Sequence, residues 1–322
     1  MRRKVTVVFA LALLVVLFAN ACGTKNEKEA SKEKETVPTY TFVDVYGQEY
    51  EAELLADVPK CSYDYERLVE QNGYKYYKDA EGNLVSSLGI DVSRYQETID
   101  WQQVKAAGID FVMIRLGFRG YGEEGKLVED VCFRSHIEGA LSAGLDVGVY
   151  FFSQAINDEE AAEEAQFVLD RIKDYEITYP VVFDTEEIKD AEARTDGLSR
   201  DQFTQNCKVF CDAVEAYGYD TMIYANMKWM AFTLKLTELT EYDFWYADYE
   251  AVPQCPYDFQ MWQYTESGRV PGVDGDVDVN VWFGGEKLDM CSSTNMTLKY
   301  CVGCVTLPLE QSCLRLSDNV LA

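Results

Sequence analysis

The sequence predicts an α/β fold: a TIM-like β/α barrel of five βα units closed by three further strands, with a small β-rich extension on its N-terminal side. Three observations predict it. From Leu88 onward, short apolar runs of strand character alternate with amphipathic helical stretches. Eight such runs can be counted, and only the first five are followed by a helix. The first strand-to-helix loop, D-V-S-R-Y-Q, lacks the Gly-rich phosphate turn of an open doubly wound sheet, the structural alternative.

Taken in order, the chain begins with Arg2-Arg3-Lys4 and then V-T-V-V-F-A-L-A-L-L-V-V-L-F-A, an apolar run of about 15 residues. That is short for a hydrocarbon core of about 30 Å at about 1.5 Å per residue, so residues 1–22 read as a secretory signal peptide. Small Ala21 directly before Cys22 suggests a lipoprotein-type processing site with Cys22 as the lipid attachment point, although Ala19 stands where Leu is usual. The expected location is therefore extracytoplasmic. Residues 23–39 are polar and without apolar period, as in a flexible tether. Residues 40–87 are expected to form two hairpins, one turning at Tyr46-Gly47 and one at Glu81-Gly82-Asn83.

The barrel is expected over residues 88–285. L-G-I-D-V-S leads to helix W-Q-Q-V-K-A-A-G, D-F-V-M-I-R-L-G-F to E-D-V-C-F-R-S-H-I-E-G-A-L-S-A-G, and D-V-G-V-Y-F-F-S to E-E-A-A-E-E-A-Q-F-V-L-D-R-I. P-V-V-F-D-T-E then leads to D-Q-F-T-Q-N-C-K-V-F-C-D-A-V-E-A-Y-G, and D-T-M-I-Y-A-N to a short helix near Lys228 to Leu234. The closing strands are D-F-W-Y-A-D-Y, D-F-Q-M-W-Q-Y-T and V-D-V-N-V-W-F. Residues 286–322 form a tail containing Cys291, Cys301, Cys304 and Cys313, with no readable role.

Composition narrows the partners. The 322 residues are 48% hydrophobic, ample for a core, yet 29 Lys and Arg face 56 Asp and Glu, a formal charge of −27. So acidic a chain is a poor electrostatic binder of nucleic acid or anionic membrane, leaving a lipid anchor as the only membrane contact expected. The 22 Tyr, 16 Phe and 5 Trp suit a core or stacking against sugar rings. Cys61, Cys132, Cys207, Cys211 and Cys255 have no metal-type spacing and read as buried thiols, with one or two disulfides open in an oxidising compartment.

The chemistry is expected at the barrel mouth, where strand ends converge. Asp91, Arg115, Asp184, Glu186, Asn226, Asp248, Gln263 and Asp278 fall at predicted strand ends, with Tyr150, Phe152, Tyr224 and Tyr249 among them. Strand alternation turns Asp184 and Glu186 to one side and Thr185 and Glu187 to the other, with α-carbons of the acids about 6.5 to 7 Å apart. A single D-x-E in so acidic a chain is ordinary solvated surface; four acids on strand ends are a site. Crowded carboxyls keep at least one proton, which is what cleavage of a glycosidic bond requires of its acid and its anion. The lone His136 lies mid-helix and reads as a surface or packing residue, away from any Ser-His-Asp or Cys-His apparatus. A Ca²⁺ or Mg²⁺ site on Asp184, Glu186 and Asp278 stays open as an alternative, while D-G-D-V-D-V-N lacks a closing Glu and reads as a turn.

Five stretches in order, G-I-D-V-S-R-Y-Q with I-D-W, G-V-Y-F-F-S, V-F-D-T-E, F-W-Y-A-D-Y and W-Q-Y-T-E-S-G-R-V-P-G-V-D-G-D-V-D-V-N, resemble the glycoside hydrolase family 25 lysozymes. The resemblance implies a monomeric N-acetylmuramidase that cuts the β-1,4 bond between N-acetylmuramic acid and N-acetylglucosamine in peptidoglycan, without cofactor or metal. It implies Glu186 as general acid, Asp184 as stabilising carboxylate, and Asp91 and Asp278 as completing the acidic cluster. Tyr150, Phe152, Tyr224, Tyr249, Trp262 and Gln263 would line the sugar groove, and Arg115 would pair with an acid or a substrate carboxylate. Phe151 departs from the family, which commonly places His there. A non-catalytic, surface-anchored glycan-binding barrel and a metal-dependent hydrolase are the competing readings.

Overall fold

The computed structural model describes residues 37–189 and 191–283. The expected signal peptide, the Cys22 attachment point and the 286–322 tail lie outside the described residues, as does most of the tether.

Two hairpins precede the barrel. β1 (Thr39–Val43) pairs with β2 (Glu49–Glu53) across a turn whose Asp44 carboxylate accepts the backbone N–H groups of Tyr46 and Gln48, each at 2.9 Å. The second departs from expectation. β3 (Leu68–Gln71) pairs with β4 (Tyr74–Tyr77) through Asn72-Gly73, both at positive φ. Asn-Gly is the residue pair that a two-residue hairpin turn selects. The turn at Glu81-Gly82-Asn83 is present but carries only a single Lys78–Leu84 bridge.

From there, β5 (Ser87–Val92), α1 (Trp101–Ala106), β6 (Phe111–Arg119), the short β7 (Leu127–Glu129), α2 (Phe133–Ser142), β8 (Asp146–Phe152) and α3 (Asp158–Ile172) follow in order. β9 (Val181–Asp184), α4 (Arg200–Glu215), β10 (Thr221–Asn226), α5 (Met227–Phe232), β11 (Asp243–Ala247), β12 (Met261–Gly268) and β13 (Val277–Trp282) complete the chain. The strands β5, β6, β8, β9, β10, β11, β12 and β13 close into an eight-stranded barrel, since β5 pairs with both β6 and β13. β7 was not expected. It folds back on β6, and a Cβ at Gly117 would lie 2.4 Å from the Val128 carbonyl, so only glycine permits that approach.

Period-two alternation sorts the side chains into two cores. Phe111, Met113, Val182, Met222, Trp245 and Met261 fill the barrel interior, while neighbours of opposite parity, such as Val112, Val149, Phe183 and Tyr246, pack outside against helices and loops. Burial on both faces explains why the strands read as near-continuous apolar runs. Four of the five α-helices among the described residues begin at side-chain caps, Asp100 for α1, Asn157 for α3, Ser199 for α4 and Asn226 for α5, each accepting a first-turn N–H, whereas α2 has none.

One strand runs the other way. β13 is antiparallel to both β12 and β5, so its N-terminal end, not its C-terminal end, reaches the mouth. Asp278, at the start of β13, thereby stands directly opposite Asp91.

The hairpins belong to the same compact unit as the barrel. The Tyr63 ring stacks on Phe283 with centroids 4.4 Å apart, and its hydroxyl donates to the Phe259 carbonyl at 2.9 Å. The Gln254 side chain accepts from Val43 N–H and donates to the Val43 carbonyl. Phe283→Ala should therefore lower the stability of the whole unit by about 3 to 5 kcal/mol, read as one displaced urea transition. A barrel transition left in place, with only a minor early phase lost, would show that the hairpins unfold independently.

Candidate active site

At the mouth, Asp91, Asp184, Glu186 and Asp278 line one cavity with Tyr150, Tyr224, Trp245, Tyr249, Gln263 and Glu266, around about 520 Å³ of space open to solvent. Asp184 is the last residue of β9, and Glu186 follows it on the same side. The residues between and after them turn away: Thr185 Oγ1 accepts from Trp229 Nε1 at 3.1 Å, and Glu187 pairs with Lys228 at 3.0 Å.

A hydrogen-bonded frame holds the other side. Asp91 Oδ2 accepts from Gln263 Nε2 at 2.9 Å and from Asn280 Nδ2 at 2.8 Å. Gln263 Oε1 accepts from the hydroxyls of Tyr224 and Tyr249, at 2.9 and 3.1 Å. The Tyr150 and Tyr224 rings pack edge-on against Trp245, with centroids 5.8 and 4.8 Å away.

Four carboxyls in so small a space cannot all ionise, and burial acts on each before their mutual repulsion does. Glu186 is pushed up to about 7, chiefly by burial and then by the Asp91 charge, with Arg115 pulling the other way. Asp184 is raised well above the usual carboxylate range by burial, then by the Glu186 charge, with Arg115 again opposing. Asp278 is pushed up to about 10 by burial and by its contact with Asp91. Asp91 is raised by burial, against the hydrogen bonds of Asn280 and Gln263 that favour its anion. Asp184 Oδ1 is buried with no hydrogen-bond partner.

Other expected residues fall elsewhere. Arg115 shares the inner side of β6 but lies outside the cavity lining; Asp130 holds its guanidinium at 2.7 to 2.8 Å, so its charge reaches the acids from behind. Phe152, half-buried, sits two residues beyond Tyr150 and outside the lining. Trp262 is a correction: Gln263 takes the inner face, so Trp262 points outward, fully buried, donating to the Asp248 carbonyl at 2.7 Å beneath Lys75. Asp248, of the same outer parity as Tyr246, accepts from the Tyr246 hydroxyl and the Gln254 side chain, and Asn226 caps α5. Phe151 also faces outward, against Phe167 of α3, so the departure from the family pattern does not touch the cavity.

His136 is a packing residue, edge-on to Trp101 with Nε2 3.2 Å from the Glu97 carbonyl. Cys61, Cys132, Cys207, Cys211 and Cys255 are free thiols, the last three buried. Among the described residues, no three His, Cys, Asp or Glu side chains are grouped to hold a metal ion.

Three residues went unread in the sequence: Glu266, Trp245 and Asn280. Trp245 and Asn280 sit at inner parity on β11 and β13, a signal that the alternation rule already contained. Glu266 follows register shifts between Gln263, Thr265 and Gly268, which break that rule.

Residues 90–273 match the family model described as glycosyl hydrolases family 25. The chain is similar to the autolytic lysozyme of Clostridium acetobutylicum, 26% identical over 198 residues, which are 61% of this chain and 56% of that protein. It is also similar to lysozyme M1 of Streptomyces globisporus, 30% identical over 219 residues, covering 65% of this chain and 71% of that one. Among solved structures, the bacterial lysozyme from Streptomyces coelicolor superposes with a TM-score of 0.50 at 26% identity, over 62% of this chain and 93% of that chain. The chain thus spans little more than half the length of the clostridial relative.

A carboxyl raised from 4.5 to about 7 contributes stability that is fully present below 4.5 and lost as the pH rises through 7. Glu186→Gln removes that loss. Its melting temperature relative to the unmodified protein should climb between pH 4.5 and 7 and then level off, a gain of about 1 to 3 kcal/mol, tempered by the half-buried position of Glu186. A difference independent of pH would contradict the burial of this acid.

Proposed function

We propose, for a chain that belongs to the family 25 glycosyl hydrolases, that its acidic cavity cleaves the β-1,4 bond between N-acetylmuramic acid and N-acetylglucosamine in peptidoglycan. The observation that carries this reading is the convergence of Asp184 and Glu186 on one cavity, with raised proton affinities and an unpartnered Asp184 oxygen. Glu186 is the general acid. It keeps a proton up to near neutral pH and delivers it to the leaving glycosidic oxygen.

Asp184 is the stabilising carboxylate. With the protein's own groups alone it favours the neutral form; an acetamido N–H donated to the carboxylate from the cavity would stabilise its anion and leave the remaining proton to Glu186. This fits a route in which the substrate's acetamido oxygen attacks the anomeric carbon as the leaving oxygen departs, and Asp184 steadies the cationic ring that forms. Water then opens that ring, with Glu186, now a carboxylate, taking its proton. Tyr150, Tyr224, Tyr249 and Gln263 border the same space and offer ring faces and hydroxyls to the sugar. A wall polymer as substrate agrees with an extracytoplasmic location, and Cys22 would supply the lipid anchor.

The purified protein incubated with defined muropeptides should yield fragments with N-acetylmuramic acid at the new reducing end, identified by mass. Glu186→Gln should reduce the rate by at least about 10³-fold with the fold intact, and activity should decline as the pH rises through about 7. Wall clearing by Glu186→Gln at the unmodified rate would remove the assignment. Sugar binding without new reducing ends would favour the non-catalytic glycan-binding barrel.

A further inference from the structure

Asn280 on β13 is fully buried, outside the cavity lining, and plays no part in the chemistry above. Its amide has one orientation. The indole Nε1–H of Trp245 can only donate, and it lies 2.8 Å from Asn280 Oδ1, so Nδ2 must face Asp91 Oδ2, at 2.8 Å. Gln263 brings a second N–H to the same oxygen at 2.9 Å. Two such donors on one carboxyl oxygen favour the anion.

Across the ladder, the Asp278 carboxyl meets that of Asp91. Two touching carboxyls share one proton, and the amide donors leave it on Asp278.

We infer that Asn280, oriented by Trp245, is a positioning residue: it holds Asp91 as the anionic member of the Asp91–Asp278 pair. The consequence falls on Glu186. Asp91 acts on Asp184 at the end of β9, on Glu186 just beyond it, and on the hydroxyls of Tyr150, Tyr224 and Tyr249. Glu266 faces Asp278 and Tyr249. The cation facing this group is Arg115, which acts on Asp184 and Glu186 from its Asp130 pair. Without the Asn280 amide the shared proton passes more readily to Asp91 and the negative charge moves across the ladder to Asp278, which Glu186 also meets. The Asp91 charge that raises Glu186 is then lost, and Glu186 releases its own proton at lower pH.

The consequence for turnover rests on Glu186 being the general acid; the charge state of Asp91 does not. The test is a carbon-13 NMR titration of the Glu186 carboxyl, its signal identified by loss in Glu186→Gln, in the unmodified protein, Asn280→Leu and Trp245→Phe. A pH profile of kcat and KM on muropeptides runs alongside. In Asn280→Leu the Glu186 midpoint should fall by about one pH unit, and the alkaline limb of kcat should move with it while KM changes little. Trp245→Phe frees the amide to turn over and should move the midpoint the same way by less. An unchanged midpoint in a folded variant, or a kcat lowered equally at every pH, overturns the inference; if Asn280→Leu does not fold, Trp245→Phe decides. If the unmodified protein cleaves no glycan, the proposed reaction fails, while the titration still reads the charge state.

Discussion

Closing eight strands into a ring drives four carboxyls from β5, β9 and β13 into one confined mouth, and the space cannot hold four negative charges. The rest of the site is a response to that crowding. Two amides steady Asp91, Asp278 meets it with a proton, and Arg115 offers partial relief from behind while Asp130 keeps it from collapsing onto the acids. Asp184 is relieved by the Arg115 charge alone, and one of its oxygens is buried without a hydrogen-bond partner. A fold that tolerates such a group holds it in readiness for a partner from outside.

The surroundings make this tolerable by being stiff. Beneath the acids, Phe111, Met113, Val182, Met222 and Met261 fill the barrel so that its strands cannot sag inward. The D-T-E segment is fixed from behind as well, through Thr185 to Trp229 and through Glu187 to Lys228, both on α5. Side chains that take part in no chemistry thus decide where Asp184 and Glu186 point.

Much of this was legible in the sequence. Alternating apolar runs gave the barrel because each strand is buried on both faces, and period two gave the shared side of Asp184 and Glu186. The same alternation turns Trp262 out of the groove, because its neighbour Gln263 occupies the inner face, and turns Asp248 outward with Tyr246, whose parity it shares. Other features depend on what periodicity cannot carry. The direction of β13 is a matter of topology, and the shifts along β12 that bring Glu266 to the cavity are local irregularities. The pairing of β4 with β3 follows from Asn72-Gly73, a stronger hairpin signal than the Glu81-Gly82-Asn83 turn.

The reversed last strand has a consequence for how the domain can be handled. Because β13 descends from the rim, Trp282 finishes beside Ser87 and Met261, at the floor of the barrel and on the side away from the acids. The barrel proper is therefore entered and left through the same basement. A passenger fused after Phe283, or a surface tether attached there, would load that basement and leave the acidic rim unshaded.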